Sequence, residues 1–213
     1  MVILTSSRTN GKNNQMKFFT ADEHYWHKNI MEYQGRTFDT IEEHNEKLIE
    51  NHNSVVTVND TTYHVGDMCF GRFDKWCDIV TRLNGKHVLI IGSHDKVDQE
   101  IATLFQTVES VMEIREREFI IFMSHYAHRR WPKSHYGSFH LYGHTHGNLE
   151  GFGRSMDVGV DTEIFEPGEF NGQHSGIQPV CVHKKFFPYS MTEIVQLLNK
   201  PTTDYKIYEG KRR

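Results

Sequence analysis

No stretch of this chain approaches the roughly 18 consecutive apolar residues that a membrane-spanning helix requires, so a soluble protein is expected. Cysteine is scarce. Cys69, Cys77 and Cys181 form no C-x-x-C pair and are odd in number, which argues against a disulfide framework or a thiolate zinc site and suits a reducing cytoplasm. Net charge is small, since 24 Lys and Arg stand against 28 Asp and Glu. A mildly acidic chain exerts no general pull on nucleic acid, although two divalent cations would change the field locally. Internal repeats and low-complexity blocks are missing as well, which argues against solenoids and arrays.

What the chain has in excess is histidine, 15 among 213 residues, and so many imidazoles invite a search for metal ligands. The length suits one domain with a real core. Residues 1–15 are polar apart from Val2, Ile3 and Leu4. They are too short in apolar length for a secretory signal peptide and read as a disordered extension, with residues 16–213 as the single domain.

Strand-like runs alternate with helical patterns from Lys17 to about Gln106, as expected of an α/β layer architecture. Phe18–Ala21 predicts a first strand, and Thr40-x-x-Glu43 a capping box for a helix bearing Ile41, Leu48 and Ile49 on one face to about Asn51. Thr62–Val65 and His87–Ile91 predict two more strands. Phe73, Trp76, Cys77 and Val80 fall at helical spacing before an Asn84-Gly85 stop, and Ile101, Leu104 and Phe105 predict another helix. Beyond Thr107 the strands Val108–Ile114, Phe119–Met123, Ser138–Tyr142 and Met156–Val160 are joined by loops. Ser190-x-x-Glu193 predicts a cap for a last helix ending at Leu198, before Pro201 and a charged tail. Residues 161–180, rich in Gly, Pro and acidic side chains, show no periodicity and read either as a functional loop or as a plain surface insertion.

Five short segments place an Asp or His directly after a predicted strand: Asp22-Glu23-His24, Gly66-Asp67, Gly92-Ser93-His94-Asp95, Ser124-His125 and Gly143-His144-Thr145-His146. Strand ends gather active sites because loops converge there while the sheet holds the backbone still. Singly each segment is weak. A Gly-Asp is more often a turn, and a His-x-His pair more often lies on a surface. Together, carboxylates and imidazoles without thiolates describe a mixed nitrogen and oxygen site for Mn²⁺, Fe, Co, Ni or Zn²⁺.

In that order the segments resemble the calcineurin-like metallophosphoesterase superfamily, whose pattern runs D-x-H, G-D, G-N-H-[DE], H, G-H-x-H. Small single-domain bacterial and phage members are the most similar. The resemblance implies a four-layer α-β-β-α sandwich with two mixed sheets, and hydrolysis of a phosphomonoester or phosphodiester by a metal-activated bridging water. It implies two divalent ions, with Mn²⁺ favoured. Asp22, His24 and His146 would hold one and Ser93, His125 and His144 the other, with Asp67 bridging them. His94 would act as general acid or stabilise the phosphoryl oxygens, with Asp95 orienting its ring. Ser93 departs from the pattern, which has asparagine there, and a hydroxyl is a shorter and poorer ligand than an amide.

Lys28, Arg36, Arg129 and Arg130 are candidate phosphate partners, although most such side chains are ordinary solvated surface. Tyr25, Trp26, Tyr126 and Trp131 lie beside the segments and could stack on a base or, more commonly, pack the core. His27, His64 and His128 stand outside the ligand scheme as structural or supporting histidines. The substrate expected is small or nucleotide-sized. No basic stripe indicates stable nucleic-acid binding, and no membrane partner is expected. Two other readings remain open: a catalytically weakened interaction module, supported by Ser93 alone, and a nuclease acting on polynucleotides.

Overall fold

The computed structural model describes residues 15–166 and 180–199. Most of the expected N-terminal extension, residues 167–179 of the aperiodic stretch, Pro201 and the charged tail lie outside the described residues. In chain order β1 (Lys17–Thr20), α1 (Ile30–Tyr33), α2 (Ile41–Val55), β2 (Thr61–His64), α3 (Phe73–Val80), β3 (Lys86–Ile90), α4 (Gln99–Ala102) and β4 (Thr107–Glu109) come first. They are followed by β5 (Val111–Glu116), β6 (Phe119–Ser124), β7 (Phe139–Tyr142), β8 (Ser155–Asp157), β9 (Ile164–Glu166), β10 (Val180–His183), β11 (Tyr189–Ser190) and α5 (Met191–Leu198).

The chain is α/β, with two mixed sheets. The first has the order β11-β1-β2-β3-β4, parallel from β1 to β4 and antiparallel at β11. The second has the order β5-β6-β7-β8, antiparallel between β5 and β6 and parallel thereafter. β9 and β10 form a separate antiparallel pair.

Alternation along the strands decides the layers, because successive side chains point to opposite faces. Phe19, Val88 and Ile90 of the first sheet, with Val65 just past β2, meet Ile121, Met123, Phe139 and Leu141 of the second in one core. Leu89, between Val88 and Ile90, faces the other way and joins Leu48 and Ile49 of α2, Trp76 and Ile79 of α3 and Ile101 of α4. Phe122, His140 and Tyr142 alternate to the outer face of the second sheet. The loop 126–138 with its 3-10 turn Ser134–Tyr136 closes over them, and the Trp131 ring lies 5.4 Å from that of His140. Among the described residues no helix is long and apolar enough to cross a membrane.

Several boundaries differ from the sequence expectations. Val108–Ile114 is two strands in different sheets, broken at Ser110; the chain crosses between layers there without any change of composition. α2 runs on to Val55, and its buried face mixes His44, Asn45, Asn51 and His52 with Leu48 and Ile49, so the apolar stripe alone underestimates it. The Thr40 hydroxyl caps Glu43 as expected, while the Glu43 carboxylate takes the amide of Asp39 instead of that of Thr40. α4 is a single turn capped by Asp98. The aperiodic stretch contains β9, and the short β11 completes the first sheet beside β1.

Candidate metal centre

All five segments leave strands at the same edge of the two-sheet core, and main-chain bonds fasten them together. The amide of Asp22 donates to the Gly66 carbonyl at 2.9 Å, that of His24 to Asp67 at 3.0 Å and that of Gly143 to His125 at 3.0 Å. Asp22, His24, Asp67, His144 and His146 all have φ between 48° and 69°. They are five of the nine non-glycine residues with left-handed backbone among the described residues. Such a conformation costs an L-residue about 1–2 kcal/mol, so strain is concentrated where the chain turns sharply to aim these side chains inward. Gly143 serves the same convergence, because a Cβ there would stand 2.7 Å from Asp22 Oδ2 and 2.6 Å from Ala21 Cβ.

The side chains gather into two groups, Asp22 with His24 and His146, and Asp67 with His125 and His144; within each, the ligand atoms lie within 4.8 Å of one another. Asp67 Oδ2 faces both, 3.2 Å from His125 Nε2 and 3.9 Å from His24 Nε2. Three imidazoles are held by their other nitrogen. His125 Nδ1 donates to the Val65 carbonyl at 3.0 Å, His146 Nδ1 meets Asp161 Oδ2 at 2.6 Å and His24 Nδ1 meets His27 Nδ1 at 3.1 Å. Engagement of Nδ1 reserves Nε2 for a cation. The Nε2 atoms of His24 and His125 are buried without a hydrogen-bond partner, an arrangement that costs free energy unless something fills it.

Electrostatics point the same way. Burial pushes the Asp22 carboxyl well above its ordinary range, and the charges of Asp157 and Asp67 push it further. Burial lowers His24 to about 2, with Asp67 opposing. Burial alone would raise Asp67, but its contact with His125, the His94 amide and nearby His24 outweigh that and hold it below the usual carboxylate range. His125 is raised by Asp67 in spite of burial. A buried carboxyl whose charged form is disfavoured by burial and by neighbouring carboxylates, beside an imidazole whose charged form burial disfavours, fits a site completed by positive charge. The donor set suits Mn²⁺, Fe, Co, Ni or Zn²⁺.

The remaining candidates divide. Ser93 is exposed, and its hydroxyl donates to Asp67 Oδ2 at 3.0 Å. His94 is exposed at the mouth, its ring 5.1 Å from Phe70 and 5.7 Å from His24, while its amide donates to Asp67 Oδ1 at 2.7 Å. Asp95 corrects the expectation made for it. Its carboxylate accepts from the amides of Gly92, Asp67 and Met68 at 2.8–2.9 Å, so it braces two loops instead of orienting the His94 ring.

Arg36 is a second correction, being only 4% exposed, with its guanidinium committed to Asp161, His44 and the carbonyls of Asp22 and Glu23. It is not available to a substrate phosphate. Lys28, Arg129 and Arg130 are exposed, and Arg129 lies over the Phe152 ring at 3.9 Å. Tyr25 and Trp131 are buried, and Lys75 sits over Trp26 at 3.5 Å. Tyr126 is the one of these aromatics that is 52% exposed, its ring 4.6 Å from that of His144. His64 is buried against Glu23 at 2.5 Å, and the amide of His128 donates to His140 Nε2.

Asp157 and Asp161 were missed by sequence reasoning. Asp157 accepts from Thr145 Oγ1, the Gly147 amide and the Gly159 amide, which shapes the loop carrying His144 and His146. Asp161 follows directly on the predicted strand Met156–Val160, so the strand-end pattern that marked the other segments marks it too.

No protein-family model matches the chain. An uncharacterized protein of Methanocaldococcus jannaschii is 35% identical over 89 residues, which are 41% of this chain and 51% of that protein, so the match spans about half the relative's length. The Gene 66 protein of Mycobacterium phage L5 is 25% identical over 178 residues, covering 68% of this chain and 86% of that protein. Among solved structures, a protein of unknown function from Aquifex aeolicus superposes with a TM-score of 0.62 at 24% identity, covering 86% of this chain and all 100% of that one. The two chains share a fold. A nuclease from Pseudomonas putida is more distant, with a TM-score of 0.44 at 18% identity, covering 77% and 87% of the two chains. Neighbours at that distance also include a phosphoesterase from E. coli. In this chain all five segments lie at one edge of two mixed sheets.

Proposed function

We propose that the chain is a metal-dependent phosphoesterase in which Asp22, His24 and His146 hold one divalent cation and Asp67, His125 and His144 a second. The observation that carries this reading is Asp67 Oδ2, reached from His125 on one side and His24 on the other, which is where a bridging carboxylate belongs. Two bound cations would supply Lewis acidity toward the phosphate oxygens and lower the pKa of a water molecule.

The chain's own residues do the rest. Asp67 limits the repulsion between the two cation sites, and the Ser93 hydroxyl and the His94 amide hold its carboxylate in place. The exposed ring of His94 is free to donate a proton to a leaving oxygen or to bind a phosphoryl oxygen. The exposed Lys28, Arg129 and Arg130 are candidates for phosphate, and the exposed face of Tyr126, beside His144, suits an aromatic or nucleobase group. The test is turnover of aryl phosphomonoesters and phosphodiesters with added Mn²⁺, followed by a panel of nucleotides, cyclic nucleotides and short oligonucleotides. Hydrolysis of none of them with any of the five metals contradicts the reading. Activity on oligonucleotides alone, falling steeply with salt, assigns the site to polynucleotides.

A further inference from the structure

Resting on that two-cation reading, we propose that Asp161 is the positioning residue that presents His146 to the first cation, and that Arg36 is the buried clamp that sets Asp161. The two residues lie 125 positions apart in sequence and belong to none of the five segments. Asp161 Oδ2 is 2.6 Å from His146 Nδ1. An ionised carboxylate can only accept, so Nδ1 carries the hydrogen and Nε2 keeps its lone pair for the group shared with Asp22 and His24.

The same carboxylate receives a two-pronged contact from Arg36, Nη2 to Oδ2 at 2.7 Å and Nε to Oδ1 at 2.9 Å, the geometry in which guanidinium and carboxylate fix each other's orientation. The guanidinium also donates to the Asp22 carbonyl at 2.6 Å and to the Glu23 carbonyl at 2.9 Å. One buried cation therefore ties the main chain that carries Asp22 and His24 to the carboxylate that aims His146. All three ligands of the first group are referenced to it. In the second group the ring of His125 is aimed instead by a main-chain carbonyl, that of Val65, so loss of Asp161 should be felt at one site only.

The experiment combines calorimetric Mn²⁺ titration of chelator-stripped wild type, Asp161→Asn, Asp161→Ala and His146→Ala with nitrogen-15 NMR of the His146 ring in the metal-free wild type. The expected results are an Nδ1–H tautomer in the wild type and, in Asp161→Ala, about 10- to 100-fold weaker binding at the same step that His146→Ala removes, with the other step unchanged. Asp161→Asn keeps one acceptor oxygen and nearly the same shape, so a smaller loss is expected. Should Asp161→Ala fail to fold because Arg36 is left buried without its partner, Asp161→Asn and the wild-type tautomer decide the matter. An Nε2–H tautomer, or two unchanged affinities in the variants, overturns the positioning role while the cation reading stands. A wild type that binds no Mn²⁺ overturns the cation reading and this role with it.

Discussion

At the scale of single residues, Asp67 and His94 are the pair whose roles separate most sharply. Asp67 faces both ligand groups and its oxygens hold the Ser93 hydroxyl and the His94 amide, whereas the His94 ring stands exposed. Asp67→Ala should abolish activity and release metal, and His94→Ala should cut turnover by about 10²–10⁴, the usual range for a lost proton-transfer group, with metal content unchanged. Metal analysis of both variants beside their rates checks this; metal lost from His94→Ala and retained by Asp67→Ala reverses the assignment. Ser93 allows a prediction in the opposite direction. Its hydroxyl is engaged with Asp67 and reaches less far than an amide oxygen would, so Ser93→Asn should tighten the weaker Mn²⁺ step by about 10-fold or more and raise turnover chiefly at limiting metal. Equal titrations of the two forms give the departure from asparagine no functional weight. The converging Asp and His side chains were legible in the sequence because each follows a strand. The destinations of Arg36 and Asp95 were not, because burial and main-chain partners are set by the fold and leave no local pattern.

At the scale of elements, the caps behaved as local chemistry dictates while the longer runs did not. Ser190 and Glu193 form the full reciprocal box at the start of α5, and both halves of that box are visible three residues apart in the sequence. Ser190→Ala should destabilise the fold by about 1 kcal/mol with Mn²⁺ affinity untouched, as measured by urea unfolding and titration; altered affinity would mean that β11 and α5 reach the centre. The crossing at Ser110 was illegible because both strands on either side of it alternate in the same way, and only pairing tells that they belong to different sheets. Gly143 makes the opposite case. Its need for close approach to Asp22 appears only when the ends of β1 and β7, which belong to different sheets, are brought together, and Gly143→Ala should lower Mn²⁺ affinity at the Asp22 group more than it lowers stability.

At the scale of the whole molecule, burial of histidine predicts how stability follows pH. Burial first of all holds His52 and His87 to about 3 and His140 to about 4, against about 6.5 in an unfolded chain. Between those values the unfolded chain binds more protons than the folded one, so stability is complete above about pH 6.5 and declines as pH falls through that window. Glu23 and its partner His64 largely offset each other, since burial pushes Glu23 up to about 8 and His64 down to about 3. The urea midpoint of chelator-treated protein should therefore drop from pH 7 to pH 5, and a midpoint that stays level or rises would contradict neutral burial of these rings. The two mixed sheets were legible as an alternation of strands and helices, and the thin loop layer over the second sheet was not, because Trp131 and its neighbours carry no periodicity.

The central claim, that two sets of ligands sharing Asp67 build one hydrolytic centre, is tested most directly by titrating Mn²⁺ into chelator-stripped wild type while following an aryl phosphodiester. Two equivalents should bind, with no turnover before metal is added and turnover rising as the second equivalent loads, and Asp67→Ala should do neither. Turnover that persists in the presence of chelator, or two bound equivalents with no hydrolysis of monoester or diester, would contradict the account.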